Sequence, residues 1–369
     1  LTPTVAIFRK RLLSYTETFI ADQGLFLPNY RPLFCGYHAD PSGLQLLGDA
    51  TRILLEEYET IPRLAKTRLR LGLGGAGTWI NAIGEQSPSL IHAHFFNDGI
   101  DALKLGQRLA LPVITTVHGH DITKHENTAD AIKSASRLFD RVDRIIAVSD
   151  FIAGQALALG CPEQKLVQHY IGIDLEKFSQ PKLESATPSL LFVGRLVEKK
   201  GCTYLLQAME QLKSRHPDLH LTVIGEGELK SALREEASRR QLNVEFAGSA
   251  GAGEIRDRLA RCWIFVAPSI VAASGDSEGL GMVFLEAQAL QTPVVSFRSG
   301  GIVEAVEEGK TALLSDEKDA AGLARDISAL LEDSGLRRSM GLEGRKRVER
   351  YFDVRKQCAE LESIYAAVR

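Results

Sequence analysis

Two glutamates in the stretch SEGLGMVFLEA, Glu278 and Glu286, are the first residues whose type and spacing could do chemistry. The run MVFLEAQAL has a helical pattern and follows a glycine-rich loop. With a helix starting near Gly281, Glu278 lies just before its N-terminus and Glu286 in its second turn. Eight residues of helix rise about 12 Å. The two carboxyls of a retaining glycosidase stand roughly 5–5.5 Å apart, and those of an inverting one about 6.5–9.5 Å. This pair is therefore too widely spaced to serve one bond and suits the two ends of an extended ligand. Between them, the free N–H groups of the helix start, bare at Gly279 and Gly281, favour an anion. A nucleoside diphosphate sugar is polar at both ends and phosphorylated in the middle. A helix cap beside a solvated glutamate would give the same local pattern.

The second motif is GRLVEKKG, residues 194–201. Arg195 falls at the end of an expected strand, and Lys200 just before the next helix. Arginine offers a planar fork to phosphate oxygens and lysine a point charge, so together they could neutralise a diphosphate leaving group. Two solvated surface cations are the plainer alternative.

Elements that could position these residues are legible on both sides. The runs 5–8, 90–95, 112–118 and 144–149 read as buried strands, each followed by a polar turn and a helix-like segment. The rhythm restarts after SATPS, 185–189, a stretch that suits a linker. Strands are then expected at 190–194, 221–225, 244–248, 263–269 and 293–297. Between the first two of these, Tyr204, Leu205, Ala208, Met209 and Leu212 share one helical face. The expected fold class is α/β, with two doubly wound domains facing a cleft and ligands beyond the carboxyl ends of the strands.

Composition narrows the function classes. The chain has 369 residues, 44% apolar and 25% charged, with a net charge of -3. That balance argues against bulk nucleic-acid binding. No apolar run reaches the roughly 18 residues of a membrane span, and the start LTPTVAIFRK lacks signal-peptide order. The five cysteines lie far apart without a C-x-x-C, as expected of reduced thiols in a cytoplasmic protein without zinc or disulfides.

In order, GRLVEKKG, VIGEGELKSAL, FAGS, DSEGLGMVFLEAQAL, PVVSFRSGG and EGKTALL closely resemble the retaining glycosyltransferases of family four, which have the GT-B fold. In the first half LIHAHF, TTVHGHD and HYIGIDLEKF agree, so the resemblance covers nearly the whole chain. IHAHF and the loop APSIVAASGDSEGL look most like enzymes of bacterial exopolysaccharide assembly. The resemblance implies a domain of residues 1–177 plus 353–369 on the acceptor side and a donor domain of 178–352, with the last helix crossing back to the first domain. It implies that Arg195 and Lys200 hold the donor diphosphate and that Glu286 binds the ribose. Glu278 would contact the transferred sugar, with backbone amides of Gly279, Leu280, Gly281, Met282 and Val283 around sugar and phosphate. Ser249 would lie near the base, and His118 would project toward the sugar as a catalytic residue beside Glu278. On the acceptor side, Ser14, Thr16, Glu17 and His94 are candidates, and Asp121 would cap or orient the His118 loop. No cofactor and no metal are expected, because Arg195 and Lys200 already supply the charge.

The chain departs from the family in two places. A glycine pair usual after the first strand is replaced by FRKRLLSYTETFI, so the acceptor loop differs, and Ile171 stands where asparagine is usual. The decoy GLGGAG, 72–77, matches G-x-G-x-x-G but follows the basic, helix-like IPRLAKTRLRL instead of a strand. That basic segment raises another possibility. Arg63, Lys66 and Arg70 fall on one helical stripe, Leu64 and Leu71 on another, and Arg68 adds a cation, with no acid between Glu59 and Glu85. Docking on the anionic inner face of the plasma membrane would suit a lipid-linked glycan acceptor. A solvated basic helix is the plainer reading. The expected reaction moves a hexose from a UDP- or GDP-sugar to a glycan. An enzyme acting on a soluble small molecule, or a non-catalytic sugar-nucleotide sensor, would keep the same donor motifs.

Overall fold

The computed structural model describes residues 2–124 and 129–368. The chain divides into two compact units, Leu1–Ile173 with Asp353–Arg369, and Asp174–Phe352. The division thus falls at Ile173/Asp174, a little before the expected 177/178.

The first unit is a seven-stranded sheet. Its strands are β1 (Thr4–Leu12), β2 (Arg31–Ala39), β3 (Arg52–Leu54), β4 (Pro88–His94), β5 (Val113–Val117), β6 (Arg144–Ala147) and β7 (Leu166–Gln168). They lie in the order β3-β2-β1-β4-β5-β6-β7, all neighbours parallel. The second unit is six-stranded: β8 (Ser189–Val193), β9 (His220–Ile224), β10 (Val244–Gly248), β11 (Ile264–Val266), β12 (Val294–Phe297) and β13 (Ala312–Ser315). Its order is β10-β9-β8-β11-β12-β13, again parallel. Parallel strands need crossovers, and the helices that supply them cover the faces, which is why β5 is buried at every position. In each sheet the winding reverses once, between β1 and β4 and between β8 and β11. Crevices for ligands open beyond the carboxyl ends of strands at such reversals.

Three expectations are corrected here. The strand foreseen at 5–8 runs on through Arg9, Lys10 and Arg11, because each cation meets an acid: Arg9 pairs with Asp98 and Glu17, Lys10 with Asp98 and Asp101, and Arg11 with Asp40. So all of FRKR is sheet, not loop. The strand β2 was not anticipated, since Pro32 and Gly36 interrupt its apolar run; Pro32 is tolerated because it sits near the strand's start. SATPS is no linker between domains. The Ser185 N–H bonds the Arg261 carbonyl, and the Trp263 indole N–H bonds the Ser185 carbonyl, all inside the second unit.

The helix Val354–Ala366 belongs to the first unit, as the resemblance implied. Asp353 caps it by accepting from the Arg355 N–H at 2.9 Å. Val354, Cys358, Leu361 and Tyr365 join Val5, Leu90 and Ile114 in one buried core. GLGGAG follows the helix Pro62–Arg70 and leads into the helix Gly77–Glu85, so no strand precedes it. Among the described residues, no helix is long and apolar enough to cross a membrane.

Candidate active site

The two opening motifs meet at the β8/β11 reversal. A short turn, Glu198–Lys200, follows β8 and brings the Lys200 Nζ within 2.6 Å of the Glu278 Oε2. Both side chains are little exposed. Lys199, almost fully buried, donates to the Asp276 carboxylate at 2.9 Å and to the Ser277 carbonyl at 3.3 Å. Burial alone would push the Glu278 carboxyl up. The charges of Lys200, Lys199 and Arg195 outweigh that and hold it below the usual range. Glu278 is therefore ionised at neutral pH within a cationic cluster.

The helix Met282–Ala289 starts where the glycine pattern placed it, with Gly281 at its N-cap and φ at 84°. Glycine adopts this left-handed conformation without cost, and it leaves no side chain to cap the helix. The Phe284 N–H bonds the Gly281 carbonyl at 3.0 Å, so the N–H groups of Met282 and Val283 are the ones left to meet an anion. Met282, Val283 and Glu286 are the partly exposed positions of this helix, while Phe284, Leu285 and Ala287 are buried. Glu286 therefore shares one face with the uncapped helix start. Gly279 and Leu280 are buried, so they can offer only backbone groups to a ligand. The loop SGG braces this segment: the Gly301 N–H bonds the Glu278 carbonyl at 2.9 Å, and a Cβ on Gly301 would overlap the Gly279 carbonyl. Arg195 is exposed at the end of β8. Ser249 is exposed beyond β10, two strands along the same sheet edge.

The first unit holds a different arrangement at its own reversal. His92 and His94 lie two residues apart on β4 and so point to one face of the sheet. The His92 Nδ1 contacts the Tyr365 hydroxyl and its Nε2 the Thr116 hydroxyl, both at 2.7 Å. The His94 Nδ1 contacts the His118 Nε2 at 3.1 Å. Ring centroids are 4.4 Å apart for His92–His94 and 5.3 Å for His94–His118. Burial pushes all three imidazoles toward neutrality, His92 to about 3. Phe19 and Phe95 flank His118, whose Nδ1 is buried without a partner among the described residues. His118 itself is partly exposed and ends this row of rings. His120, two residues on, is exposed.

Asp121 does orient this loop. Its carboxylate accepts from the N–H groups of Phe96, His118 and Gly119, tying the ends of β4 and β5 together. Beside it opens a cavity of about 420 Å³ lined by Arg9, Glu17, Phe95, Asn97, Asp98 and His120, among others. Arg9 is clamped by Glu17 at 2.5 Å and by Asp98, and lies over the Phe95 ring at 4.2 Å. Phe95 itself has φ 71° and ψ 145°, a strained backbone for a bulky residue. Of the acceptor-side candidates, Glu17 and Asp121 line this cavity. Ser14 and Thr16 bond each other at 2.9 Å, and the Ser14 N–H bonds Glu17, so they brace the turn. His94 is buried behind His118. Arg9 and Asp98 were missed; the available signal was a charged run continuing a strand at its carboxyl end.

Two parallel-sheet α/β units with ligand-ready edges define the GT-B architecture, and solved structures agree. The chain superposes on Anabaena Alr3699/HepE in complex with UDP with a TM-score of 0.78 at 17% identity, covering 99% of this chain and 100% of that one. It matches the apo lipopolysaccharide outer core galactosyltransferase WaaB with a TM-score of 0.70 at 15% identity, covering 99% of each. The family follows from sequence. A model described as "Glycosyl transferases group 1" matches residues 174–347, and one described as "Glycosyltransferase Family 4" matches 34–177. A protein of Escherichia coli named for colanic acid biosynthesis is 32% identical over 75% of this chain and 70% of its own length. A GDP-mannose-dependent phosphatidylinositol monomannoside mannosyltransferase of Corynebacterium glutamicum is 31% identical over 65% of this chain and 66% of its own. The chain belongs to glycosyltransferase family 4.

Proposed function

We propose that this glycosyltransferase moves a hexose from a nucleoside diphosphate sugar, UDP-linked in the first instance, to a lipid-linked glycan during exopolysaccharide or cell-envelope polysaccharide synthesis. The observation that carries the reading is the Lys200–Glu278 pair beside the uncapped start of Met282–Ala289, with Glu286 on the same helix face. A diphosphate there would meet Lys200, Arg195 and the helix N–H groups. Glu286 would hold the ribose hydroxyls and Glu278 the sugar. Glu278 is held in a salt bridge by Lys200, so it is poorly placed as a nucleophile, which favours front-face transfer with retention. The departing phosphate then accepts the acceptor's proton as the new glycosidic bond forms.

The reaction is proposed to need neither metal nor bound cofactor. Asp276, the carboxylate nearest Glu278 in sequence, is engaged by Lys199. The first-unit cavity, with Glu17, Asp98, Asn97 and His120, offers hydroxyl-binding groups to an acceptor. UDP as the nucleotide is supported by the UDP-bound structural neighbour; the GDP-mannose-dependent relative supports GDP as the second candidate. A cytoplasmic location follows from where sugar nucleotides are made. A thermal-shift screen across sugar nucleotides tests the reading. At 100 times its dissociation constant the right donor should stabilise the fold by about 2.7 kcal/mol. If no sugar nucleotide shifts the melt, the reading falls.

A further inference from the structure

We propose that Lys199 and Asp276 are positioning residues for the transfer step: their ion pair sets the place of Glu278 against Lys200. The inference rests on the proposed donor site and deepens it, since Glu278 and Lys200 would touch the donor while Lys199 and Asp276 act through them. Adjacent lysines on the turn Glu198–Lys200 each take an acid from the loop that follows β11. Lys199 holds Asp276 at 2.9 Å, and Lys200 holds Glu278 at 2.6 Å. Lys199 also grips that loop at both ends. Its carbonyl accepts from the Ile270 N–H at 2.8 Å, shortly after β11, and its ammonium donates to the Ser277 carbonyl at 3.3 Å, immediately before Glu278. Between these ends the loop closes on itself, the Ala272 N–H bonding the Asp276 carbonyl at 2.9 Å. Glu198, from the same turn as Lys199, accepts from the Ala273 N–H at 3.1 Å. A Cβ on Gly201 would overlap the Pro268 carbonyl, so the turn and the loop's start are in direct backbone contact.

Stability alone does not account for this pair. Lys199 is 6% exposed. A buried ion pair is a weak source of stability, because desolvation offsets much of its Coulomb attraction, and its best-attested use is to fix register. The register fixed here is that of the segment carrying Glu278. The Glu278 carboxylate is held by Lys200, and a bound diphosphate competes for that same ammonium. Lys199 and Asp276, buried behind the ligand-facing pair, can keep their bond while Lys200 changes partner. The Lys199 charge also helps to hold Glu278 ionised. Placement matters at this point, since a shift of about 1 Å at a reacting centre can cost on the order of a hundredfold in rate.

The test is a double-mutant cycle read in kcat and donor KM. Turnover is followed as release of nucleoside diphosphate from the sugar nucleotide that gives the largest thermal shift. Asp276→Ala should lower kcat roughly tenfold or more and leave donor KM within about twofold. Asp276→Asn keeps an oxygen for the Lys199 ammonium and should recover most of that loss. Lys199→Met fills the same space without charge; it should reproduce the loss, and it replaces Asp276→Ala if that variant folds poorly. In a Glu278→Ala background, adding Asp276→Ala should cost about twofold or less, because the pair acts through Glu278. Equal losses in both backgrounds would mark a general packing role and overturn the proposal. So would a parental kcat in Asp276→Ala, with or without a lower melting temperature. If Glu278→Ala slows turnover while Asp276→Ala does not, the positioning role falls and the donor reading stands. A parental rate in Glu278→Ala overturns the donor reading, and the positioning role with it.

Discussion

The edges of the two sheets offer the same opportunity and use it differently. At the β8/β11 reversal the chain gathers ions: Lys199, Lys200, Asp276 and Glu278 within hydrogen-bond distance of one another in pairs. At the β1/β4 reversal it gathers neutral rings, His92, His94 and His118, and sets the ions to one side around Arg9. Ion pairs held at an open edge can be re-partnered by a charged ligand at modest cost. The buried imidazoles of His92 and His94 cannot take up charge without losing their packing. The first arrangement suits catching a diphosphate, and the second suits holding a frame while a neutral acceptor sits beside it.

The largest expected effect tests the ionic site. Lys200→Ala removes the diphosphate's point charge and leaves Glu278 without its closest partner. Losing one group aimed at the charge that develops on the departing phosphate costs about 3 kcal/mol, so kcat/KM for donor turnover should fall over about a hundredfold. Full activity in the variant would show that the cluster is structural. Next come the two glutamates, each worth roughly 1.5–3 kcal/mol as a charged hydrogen-bonding partner. Glu286→Ala should act chiefly on donor affinity, since ribose contacts persist throughout the reaction. Glu278→Ala should act chiefly on kcat, since it touches the reacting sugar. Equal effects on binding alone would contradict that division.

Acid should separate the units. The ordinary histidine value is 6.5, and burial, then the nearby His169, lowers His92 to about 3. Its contribution is complete above 6.5 and is lost as the pH falls toward 3, because only the unfolded chain takes up the proton. Near pH 5 this one ring should cost about 2 kcal/mol. Glu278, held below its ordinary 4.5, contributes fully above that value and loses its contribution only as the pH drops through the lowered one. The two tryptophans, Trp79 and Trp263, lie one in each unit. Trp263→Phe and Trp79→Phe therefore give fluorescence reporters of the first and second unit in turn. The first unit's denaturation midpoint should begin to fall near pH 6.5, and that of the Glu278 region should hold to near pH 4.5. Parallel acid profiles would erase the distinction. The smallest expected effect is that of a chelator: EDTA should leave turnover unchanged, and loss restored by manganese would show that the cations do not suffice.

Much of the second unit was legible in the chain. The distance between Glu278 and Glu286 is set by the helix itself, a local quantity, and the strand-turn-helix punctuation around Gly194 and Gly281 is equally local. The expected strands of that unit fall on observed ones, although β13 went unseen, as did β2, β3 and β7 in the first unit. Local patterns were weakest where charge interrupted them. Arg9, Lys10 and Arg11 look like loop residues until Asp98, Asp101 and Asp40 arrive from other elements to pair with them.

What the sequence alone determined were periodicities and spacings within a turn or two of backbone, because helix rise and strand alternation depend only on neighbours. Partners came from the tertiary structure. Lys200 and Glu278 are 78 residues apart, Arg9 and Asp98 are 89 apart, and His92 meets Tyr365 across 273 residues. Whether a charge is neutralised, or a histidine ring is open or buried, depends on what the sheet order places beside it. The sequence nominated His118 and the cations of 61–73 on residue type. The fold set the first against His94 and gave Arg70 to Asp101, since desolvation and Coulomb attraction act through space, not along the chain.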